Sequence, residues 1–232
     1  MSNRIHPTAI IGAGVELGDD NVVGPYTVIV GPCRIGSGNW IGPFVSIGGP
    51  SEIRGGPHPV GWEDEVAGAG VVIGDGNILR EGVSVHQGSH EATRIGDRCY
   101  LLARSHLGHD AVIEDEVTLT SVVQLAGHTY VGTGANIGMS TMVHQRVRIG
   151  PGAMVGMSSA VRKDVPPFSI TVGNPARTTG INRVGLSRRG CDESTIDAFE
   201  EHLKGRAGLP AALPEELAGL LAAWEKLTAD HQ

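Results

Sequence analysis

Aromatic residues are scarce in this sequence, at 4% of its 232 residues, so an aromatic-rich globular core is not available to it. The three cysteines, Cys33, Cys99 and Cys191, are widely spaced and form no CxxC pair, which argues against a disulfide framework. Acidic residues outnumber basic ones, and the net charge of −7 argues against nucleic acid or an anionic membrane as main partner. Because there is no long apolar run and no signal-peptide pattern, we expect a cytoplasmic protein without a transmembrane segment.

Glycine, in contrast, is abundant, with 35 residues, and it accompanies a six-residue repeat. Aliphatic residues occupy every sixth position from Ile5 to Ile47, from Ile73 to Val85 and from Ile95 to Val161. Glycine usually follows the aliphatic residue, and a small residue usually stands four places after it. This period matches neither the 3.6-residue repeat of a helix nor the simple alternation of a strand.

The repeat predicts an all-β solenoid. Each hexad supplies a short strand and a tight turn, three hexads close one coil, and successive coils stack as parallel strands. The aliphatic and small residues fill the interior, and glycine serves the turns. We therefore assign residues 1–168 to a parallel β-helix of hexapeptide repeats, whose hand the period alone does not determine.

Two interruptions of the repeat are candidates for ligand-binding loops. The first is an excursion at about residues 49–71, which contains His58, Trp62 and the acidic run 63–65. The second adds four residues around Ser89-His90-Glu91. Loops that leave a compact repeat are commonly functional, so we expect both to face a ligand.

The hexads stop after Pro166 and Pro167, and residues 169–232 are predicted to form a connector and a small C-terminal helical region. Asp192 is a candidate N-cap for a helix that ends before Gly205. Pro214 suits the first turn of a second helix. We expect this appendage to cap the solenoid and to join subunits.

Most of the histidines should gather on one edge of the solenoid. Residues 18 apart in the repeat stack about 4.8 Å apart, one strand spacing. This places His109, Gly127 and Gln145 in one column, and Asp110 and His128 in the next. The outward side chains gathered on this edge are His86, His106, His109, His128, His144 and Gln145.

Three interpretations of this edge compete. A histidine that titrates near neutrality can take the proton from an attacking hydroxyl or amine, which favours general-base catalysis. Incidental surface histidines would be scattered over three faces. A zinc site needs several ligands about 2 Å from the ion, and His106 and His109 offer no clear third ligand, so we predict no bound metal.

Acyl transfer would need little beyond such a base. A thioester donor is already activated, so a base and an oxyanion-binding donor are sufficient, and a backbone N–H at Gly127 could be that donor. Cys33 and Cys99 occupy the small inward position of their hexads, which is typical of core residues rather than nucleophiles.

Several segments resemble the UDP-N-acetylglucosamine O-acyltransferases that begin lipid A synthesis. The strongest is residues 101–110 (LLARSHLGHD). The others are residues 5–10 (IHPTAI), 80–88 (REGVSVHQG), 125–128 (LAGH), 143–145 (VHQ), 164–168 (DVPPF) and 185–190 (GLSRRG). The resemblance implies a left-handed parallel β-helix and a homotrimer with each active site between two subunits.

The resemblance also implies roles for individual residues. His109 would be the general base, and Asp110 its orienting partner. The implied substrate contacts are His86, His106, Gly127, His128, His144, Gln145 and Arg188. The acceptor would be a nucleotide sugar. The donor would be a phosphopantetheine-linked acyl thioester, on acyl carrier protein or coenzyme A, and no cofactor would be bound.

The charge distribution is compatible with such a donor. Residues 143–190 hold eight of the lysines and arginines but a single acidic residue, Asp164. This basic end of the solenoid suits an acidic carrier protein or the phosphates of coenzyme A.

Two departures from the family leave the substrates open. Residues 48–54 (GGPSEIR) replace the family's sugar-reading run, so N-acylation of another amino sugar is an alternative to 3-O-acylation of UDP-N-acetylglucosamine. Met157 stands where the family limits acyl-chain length, which predicts a short or medium chain. A zinc lyase of the γ-carbonic-anhydrase type and a non-catalytic sugar-binding solenoid are the alternatives from other classes.

Overall fold

The computed structural model describes residues 2–56, 58, 67–210 and 213–229. Their strands form three sheets, one for each side of a triangular coil. The first sheet holds β1 (Arg4–Ile5), β4 (Val22–Val23), β7 (Trp40–Ile41), β10 (Ile78–Leu79), β13 (Tyr100–Leu101), β16 (Thr118–Leu119), β19 (Asn136–Ile137), β22 (Met154–Val155), β24 (Ser169–Gly173) and β25 (Ala176–Ile181).

The other two sheets are parallel throughout. The second sheet holds β2 (Ile10–Ile11), β5 (Val28–Ile29), β8 (Ser46–Gly49), β11 (Ser84–His86), β14 (His106–Leu107), β17 (Gln124–Leu125), β20 (Met142–Val143) and β23 (Ala160–Val161). The third sheet holds β3 (Val15–Leu17), β6 (Cys33–Ile35), β9 (Val71–Ile73), β12 (Thr93–Ile95), β15 (Val112–Ile113), β18 (Tyr130–Val131) and β21 (Arg148–Ile149).

The strand register confirms the stacking predicted from the repeat. His106 pairs with Gln124, and Gln124 with Met142, at steps of 18 residues. Ser84 pairs with His106, so the four extra residues leave the coil without disturbing the sheet. The site therefore rests on a regular ladder whose side-chain positions follow from residue number.

The interior holds the aliphatic and small residues of the hexads. Leu79, Leu107 and Ile137 are fully buried, and the same core contains Cys33 and Cys99. Burial raises the pKa of both thiols to about 12, so they remain protonated near neutral pH. This agrees with their prediction as core residues.

The end of the solenoid differs from the sequence prediction. Ser169–Gly173 continues the first sheet beside β22 and then turns back as an antiparallel hairpin with Ala176–Ile181. The hexad pattern missed this hairpin because its residues alternate instead of repeating every sixth position. A short helix that the sequence did not predict, α1 (Arg183–Arg188), follows the hairpin.

Two further helices confirm the predicted C-terminal appendage. Helix α2 (Glu193–Leu203) begins after Asp192, whose side chain accepts a hydrogen bond from the Thr195 N–H at 2.8 Å. Helix α3 (Glu215–Ala229) follows Pro214. They cover the end of the solenoid through a second apolar core, which includes Phe168, Phe199 and Leu217. No helix within the described part of the chain is long and apolar enough to span a membrane.

Candidate active site

The histidine edge lies on the second sheet and on the turns that lead from it to the third. His86 ends β11, His106 begins β14, and His109 and His128 lie in the turns after β14 and β17. A groove of about 480 Å³ runs along this edge. Its lining residues are Glu52, His106, His109, Gln124, Ala126, Gly127, Met142, Val143 and Gln145.

His109 is held by its neighbour Asp110. The Nδ1 of His109 donates to Oδ2 of Asp110 at 2.7 Å, so in the neutral imidazole the lone pair is on Nε2. Asp110 adopts a left-handed backbone conformation, with φ of 58°, and its N–H donates to the Thr93 hydroxyl. The turn thus orients the carboxylate toward the preceding imidazole.

The four-residue insertion surrounds the carboxylate of Asp110. The N–H and hydroxyl of Ser89 donate to Oδ2, and the N–H groups of His90 and Glu91 donate to Oδ1, at 2.7–2.9 Å. Burial by itself would raise the pKa of Asp110, but these hydrogen bonds and the one from His109 outweigh it. The pKa is held well below its ordinary value, so Asp110 stays ionised and keeps His109 oriented.

Glycine at position 127 makes room for the base. A Cβ at Gly127 would lie 2.6 Å from Nε2 and 2.7 Å from Cε1 of His109, closer than side chains pack. Gly127 therefore lies against the Nε2–Cε1 edge of the imidazole, and both residues line the groove. Only glycine allows the ring to take this position.

We expect Gly127→Ala to displace the His109 ring and to lower kcat by about 10²-fold, because small misplacements of a reacting group are costly. KM should change much less. Gly180→Ala is the matched control, since a Cβ there meets nothing within 4 Å. Steady-state kinetics on both variants test this, and equal kcat values would show that His109 tolerates the added methyl group.

His128 is the second imidazole of this cluster. Its ring meets that of His109 edge to face at 5.0 Å, and its Nε2 lies 3.9 Å from Oδ2 of Asp110. Burial lowers the pKa of His128, and the positive charge of Arg146 lowers it further, while Asp110 opposes both. His128 is therefore suited to contact a substrate in its neutral form.

Glu52 is the site residue that sequence reasoning did not single out. Its carboxylate lies 3.0 Å from Nε2 of His106 and 3.8 Å from Nε2 of His86. On the far side of each ring, His86 Nδ1 contacts the carbonyl of Pro50 at 2.8 Å, and His106 Nδ1 contacts the Ser84 hydroxyl at 2.9 Å. The excursion loop thus returns a carboxylate to the histidine edge, and no repeat position could have indicated it.

Burial lowers the pKa of His106, with help from His86, although the nearby Glu52 raises it. Desolvation likewise lowers the pKa of His128. The unfolded value of this pKa is about 6.5, and the folded value is lower. As the pH falls past about 6.5, the unfolded chain therefore binds more protons than the folded chain does, and protonation favours unfolding.

The free energy of unfolding should therefore decrease as the pH falls from about 7.5 to 5.5, by at most about 1.4 kcal/mol per pH unit for each such histidine. Asp110 does not contribute in this window, because its lowered pKa affects stability only near pH 4 and below. Urea unfolding at several pH values should show a shallower dependence in His106→Gln than in wild type. An identical dependence would mean that His106 is not desolvated in the folded protein.

The family was identified by comparison with known proteins. A family model described as UDP-N-acetylglucosamine O-acyltransferase, domain 2, matches residues 164–205. The acyl-(acyl-carrier-protein)–UDP-N-acetylglucosamine O-acyltransferase of Paraburkholderia phytofirmans is 47% identical over 212 residues, which cover 85% of this chain and 80% of that protein. The chain belongs to the UDP-N-acetylglucosamine O-acyltransferase family.

Solved structures of this acyltransferase family share the fold. The Moraxella catarrhalis enzyme superposes with a TM-score of 0.72 at 30% identity, over 98% of this chain and 92% of that one. The Bacteroides fragilis enzyme superposes with a TM-score of 0.75 at 28% identity, over 95% of this chain and 89% of that one. The left-handed parallel β-helix implied by the sequence resemblance is confirmed. Alignments with other relatives are shorter, and this chain spans 48% of the Synechocystis sp. protein and 63% of the Stutzerimonas stutzeri one.

Three residues that the acyltransferase resemblance assigned to substrates lie away from the groove. His144 lines a cavity of about 330 Å³ with Arg162, Lys163 and Arg177. Arg188, on α1, lines a cavity of about 770 Å³ against the first sheet. Met157 is exposed in the turn between β22 and β23. Within one chain, the structure brings together His86, His106, His109, His128 and Gln145 but not these three.

One further sequence prediction concerns the excursion loop. Trp62 and the acidic run 63–65 lie outside the described residues.

Proposed function

We propose that the protein transfers an acyl group from an acyl carrier protein or coenzyme A thioester to the 3-hydroxyl of UDP-N-acetylglucosamine, with His109 as general base. The observation that carries this proposal is the orientation of His109. Asp110 accepts a hydrogen bond from its Nδ1–H, and Gly127, which lines the groove with it, places no Cβ against its Nε2. The names of the relatives in the family, which pair an acyl carrier protein with this nucleotide sugar, support the choice of substrates.

The proposed reaction needs one base and one oxyanion donor. Nε2 of His109 takes the hydroxyl proton as the oxygen attacks the thioester carbonyl carbon. The tetrahedral oxyanion accepts a hydrogen bond from the backbone N–H of Gly127. When the carbon–sulfur bond breaks, the imidazolium returns the proton to the leaving thiolate. The ionised Asp110 stabilises the imidazolium between these steps.

The remaining groove residues are assigned to the acceptor. His106 and Gln145 line the groove, and the rings of His86 and His128 contact those of His106 and His109. Their ring nitrogens and the amide suit hydroxyl and phosphate groups of a nucleotide sugar. His144, which lines the separate cavity with Arg162 and Lys163, is proposed as a further substrate contact outside the groove. The departure at residues 48–54 makes an amine acceptor the alternative, and the test below separates the two.

The donor side is proposed to come from another subunit. Arg188 belongs to α1 on the first sheet, whereas His109 lies at the border of the second and third sheets. A homotrimer with sites between subunits would bring an Arg188 to each histidine edge. Its guanidinium would then bind a phosphate of the phosphopantetheine arm. The cytoplasmic location predicted from the sequence is part of the same proposal.

Mass spectrometry of the reaction products tests this function. The wild-type protein would receive UDP-N-acetylglucosamine or, in a separate reaction, a nucleotide sugar with a free amine, each with a ladder of acyl carrier protein and coenzyme A thioesters. A product heavier by one acyl group, and labile to mild base as an ester is, would support O-acylation. A base-stable amide on an amino-sugar acceptor would indicate N-acylation instead. No product from any donor would contradict acyl transfer to this acceptor.

Met157→Gly should shift the donor preference to longer acyl chains. The exposed thioether of Met157 would occupy the path of the acyl chain between subunits, and glycine would open space there. Each additional buried methylene contributes about 0.8 kcal/mol, or about fourfold in kcat/KM. Met139→Gly is the matched control, one coil earlier at the same turn position. Competition between thioesters of different length measures the preference, and an unchanged optimum would contradict the role given to Met157.

A further inference from the structure

Glu52, His86 and His106 face one another beside the reaction groove. The carboxylate oxygens of Glu52 lie 3.0 Å and 3.8 Å from the Nε2 atoms of His106 and His86, and the three ligand atoms lie within 4.8 Å of one another. Tetrahedral zinc ligands at 2.0–2.1 Å from the ion are about 3.3 Å apart. Small side-chain movements would therefore let all three reach one ion.

Both rings are also oriented from behind, as metal-binding histidines usually are. The Pro50 carbonyl accepts a hydrogen bond from His86 Nδ1–H, which leaves the Nε2 lone pair directed at Glu52. The Ser84 hydroxyl contacts Nδ1 of His106 and can accept from it as readily as donate. His106 can therefore move its proton from Nε2 to Nδ1 and present a lone pair without net proton release.

We propose that Glu52, His86 and His106 bind one zinc ion, with the open coordination position facing the groove that holds His109. Two imidazoles and one carboxylate form a ligand set that zinc accepts while retaining a position for water or another oxygen ligand. The ion would then lie in the space that the proposed function gives to the acceptor. Zinc would compete with the nucleotide sugar for it.

The neighbouring trio of His109, Asp110 and His128 is a weaker candidate, although its ligand atoms are as close. Each oxygen of Asp110 already accepts two or more hydrogen bonds from the Ser89–Glu91 segment and His109. A metal there would have to displace them. Glu52 makes only the two histidine contacts among the described residues, and its side chain is 47% exposed.

Calorimetric titration of the untagged full chain with ZnCl₂ tests the metal site without any substrate. We expect one zinc per chain, and binding at least about 10-fold weaker in Glu52→Gln and in His86→Asn. His128→Asn, which removes a ligand of the neighbouring trio, should bind as wild type does. Co²⁺ should give the intense visible absorption of a tetrahedral site in wild type but not in Glu52→Gln. Thermal melts in the absence of metal would show that the variants are folded.

A second titration in the presence of UDP-N-acetylglucosamine tests the competition, which rests on the proposed function. Apparent zinc affinity should fall as the nucleotide sugar concentration rises. The metal site would be overturned if wild type bound no stoichiometric zinc. It would also be overturned if His128→Asn lost zinc while Glu52→Gln bound it fully. Acyl transfer without zinc binding would overturn this inference alone. Zinc binding without acyl transfer would support the metal site and count against the proposed function.

Discussion

Replacement of His109 by alanine should lower kcat by about 10²- to 10⁴-fold, the usual contribution of a positioned general base. The structure explains the size of this loss. In the proposed reaction Nε2 of His109 is the proton acceptor, and its ring is hydrogen-bonded to Asp110 and bordered by Gly127. The Nε2 of the adjacent imidazole, His128, lies 3.9 Å from Oδ2 of Asp110, and we do not expect it to replace the base.

The kinetic parameters of His109→Ala should separate catalysis from binding. KM for the nucleotide sugar should stay within a few-fold of wild type, because acceptor binding is assigned to residues other than His109. His6→Ala is a matched control, since the exposed ring of His6 hydrogen-bonds only to Thr8 among the described residues. A His109→Ala enzyme with wild-type kcat would exclude His109 as the base.

Asp110→Asn should have the second large effect, lowering both kcat and stability. The variant keeps the shape of the side chain but loses the charge and replaces one acceptor oxygen with a donor NH₂. That NH₂ would face either the Ser89 donors and His109, or the N–H groups of His90 and Glu91. We expect kcat to fall by about 10²- to 10⁴-fold because His109 loses its orientation. The free energy of unfolding should fall by about 2 kcal/mol or more.

Asp97→Asn separates the two effects of that substitution. Asp97 also accepts a backbone N–H, that of Asp75 at 2.7 Å, but it lies away from the histidine edge. The Asp97→Asn variant should have a lower free energy of unfolding but the kcat of wild type. Urea unfolding and steady-state kinetics on both variants provide the comparison. Wild-type kcat in Asp110→Asn would show that the carboxylate is not needed to position His109.

Much of the fold could be predicted because the solenoid is strictly periodic. A residue number determines the sheet and the coil, so the stacking of His106 on Gln124 followed from arithmetic alone. The side chains that line the groove from the repeat itself were therefore accessible to sequence reasoning. The hairpin at Ser169–Ile181 and helix α1 were not, since neither carries the hexad pattern.

The supporting contacts of the site could not be predicted from the repeat. Ser89, His90 and Glu91 enclose Asp110, and Glu52 meets two histidines, from segments where the period is interrupted. An insertion has no register, so its length indicates a loop but not its contacts. The insertion after β11 was nevertheless a usable signal, because extra residues beside a functional edge commonly serve it.

The residues proposed for the donor illustrate a different limit. Arg188 and Met157 lie on parts of the chain that do not face His109. A single chain presents the two halves of the proposed site on different sides of one solenoid. In the proposed homotrimer they would converge through the arrangement of subunits, which neither the repeat nor a single chain specifies.

A crystal structure of the full chain with UDP-N-acetylglucosamine would show whether His109 can act on the acceptor. We expect the sugar in the groove, with its 3-hydroxyl oxygen about 2.6–3.2 Å from Nε2 of His109, the distance at which a base can take the proton. The His109–Asp110 hydrogen bond should be retained. A sugar bound elsewhere, or one whose hydroxyl groups all lie beyond reach of His109, would contradict it.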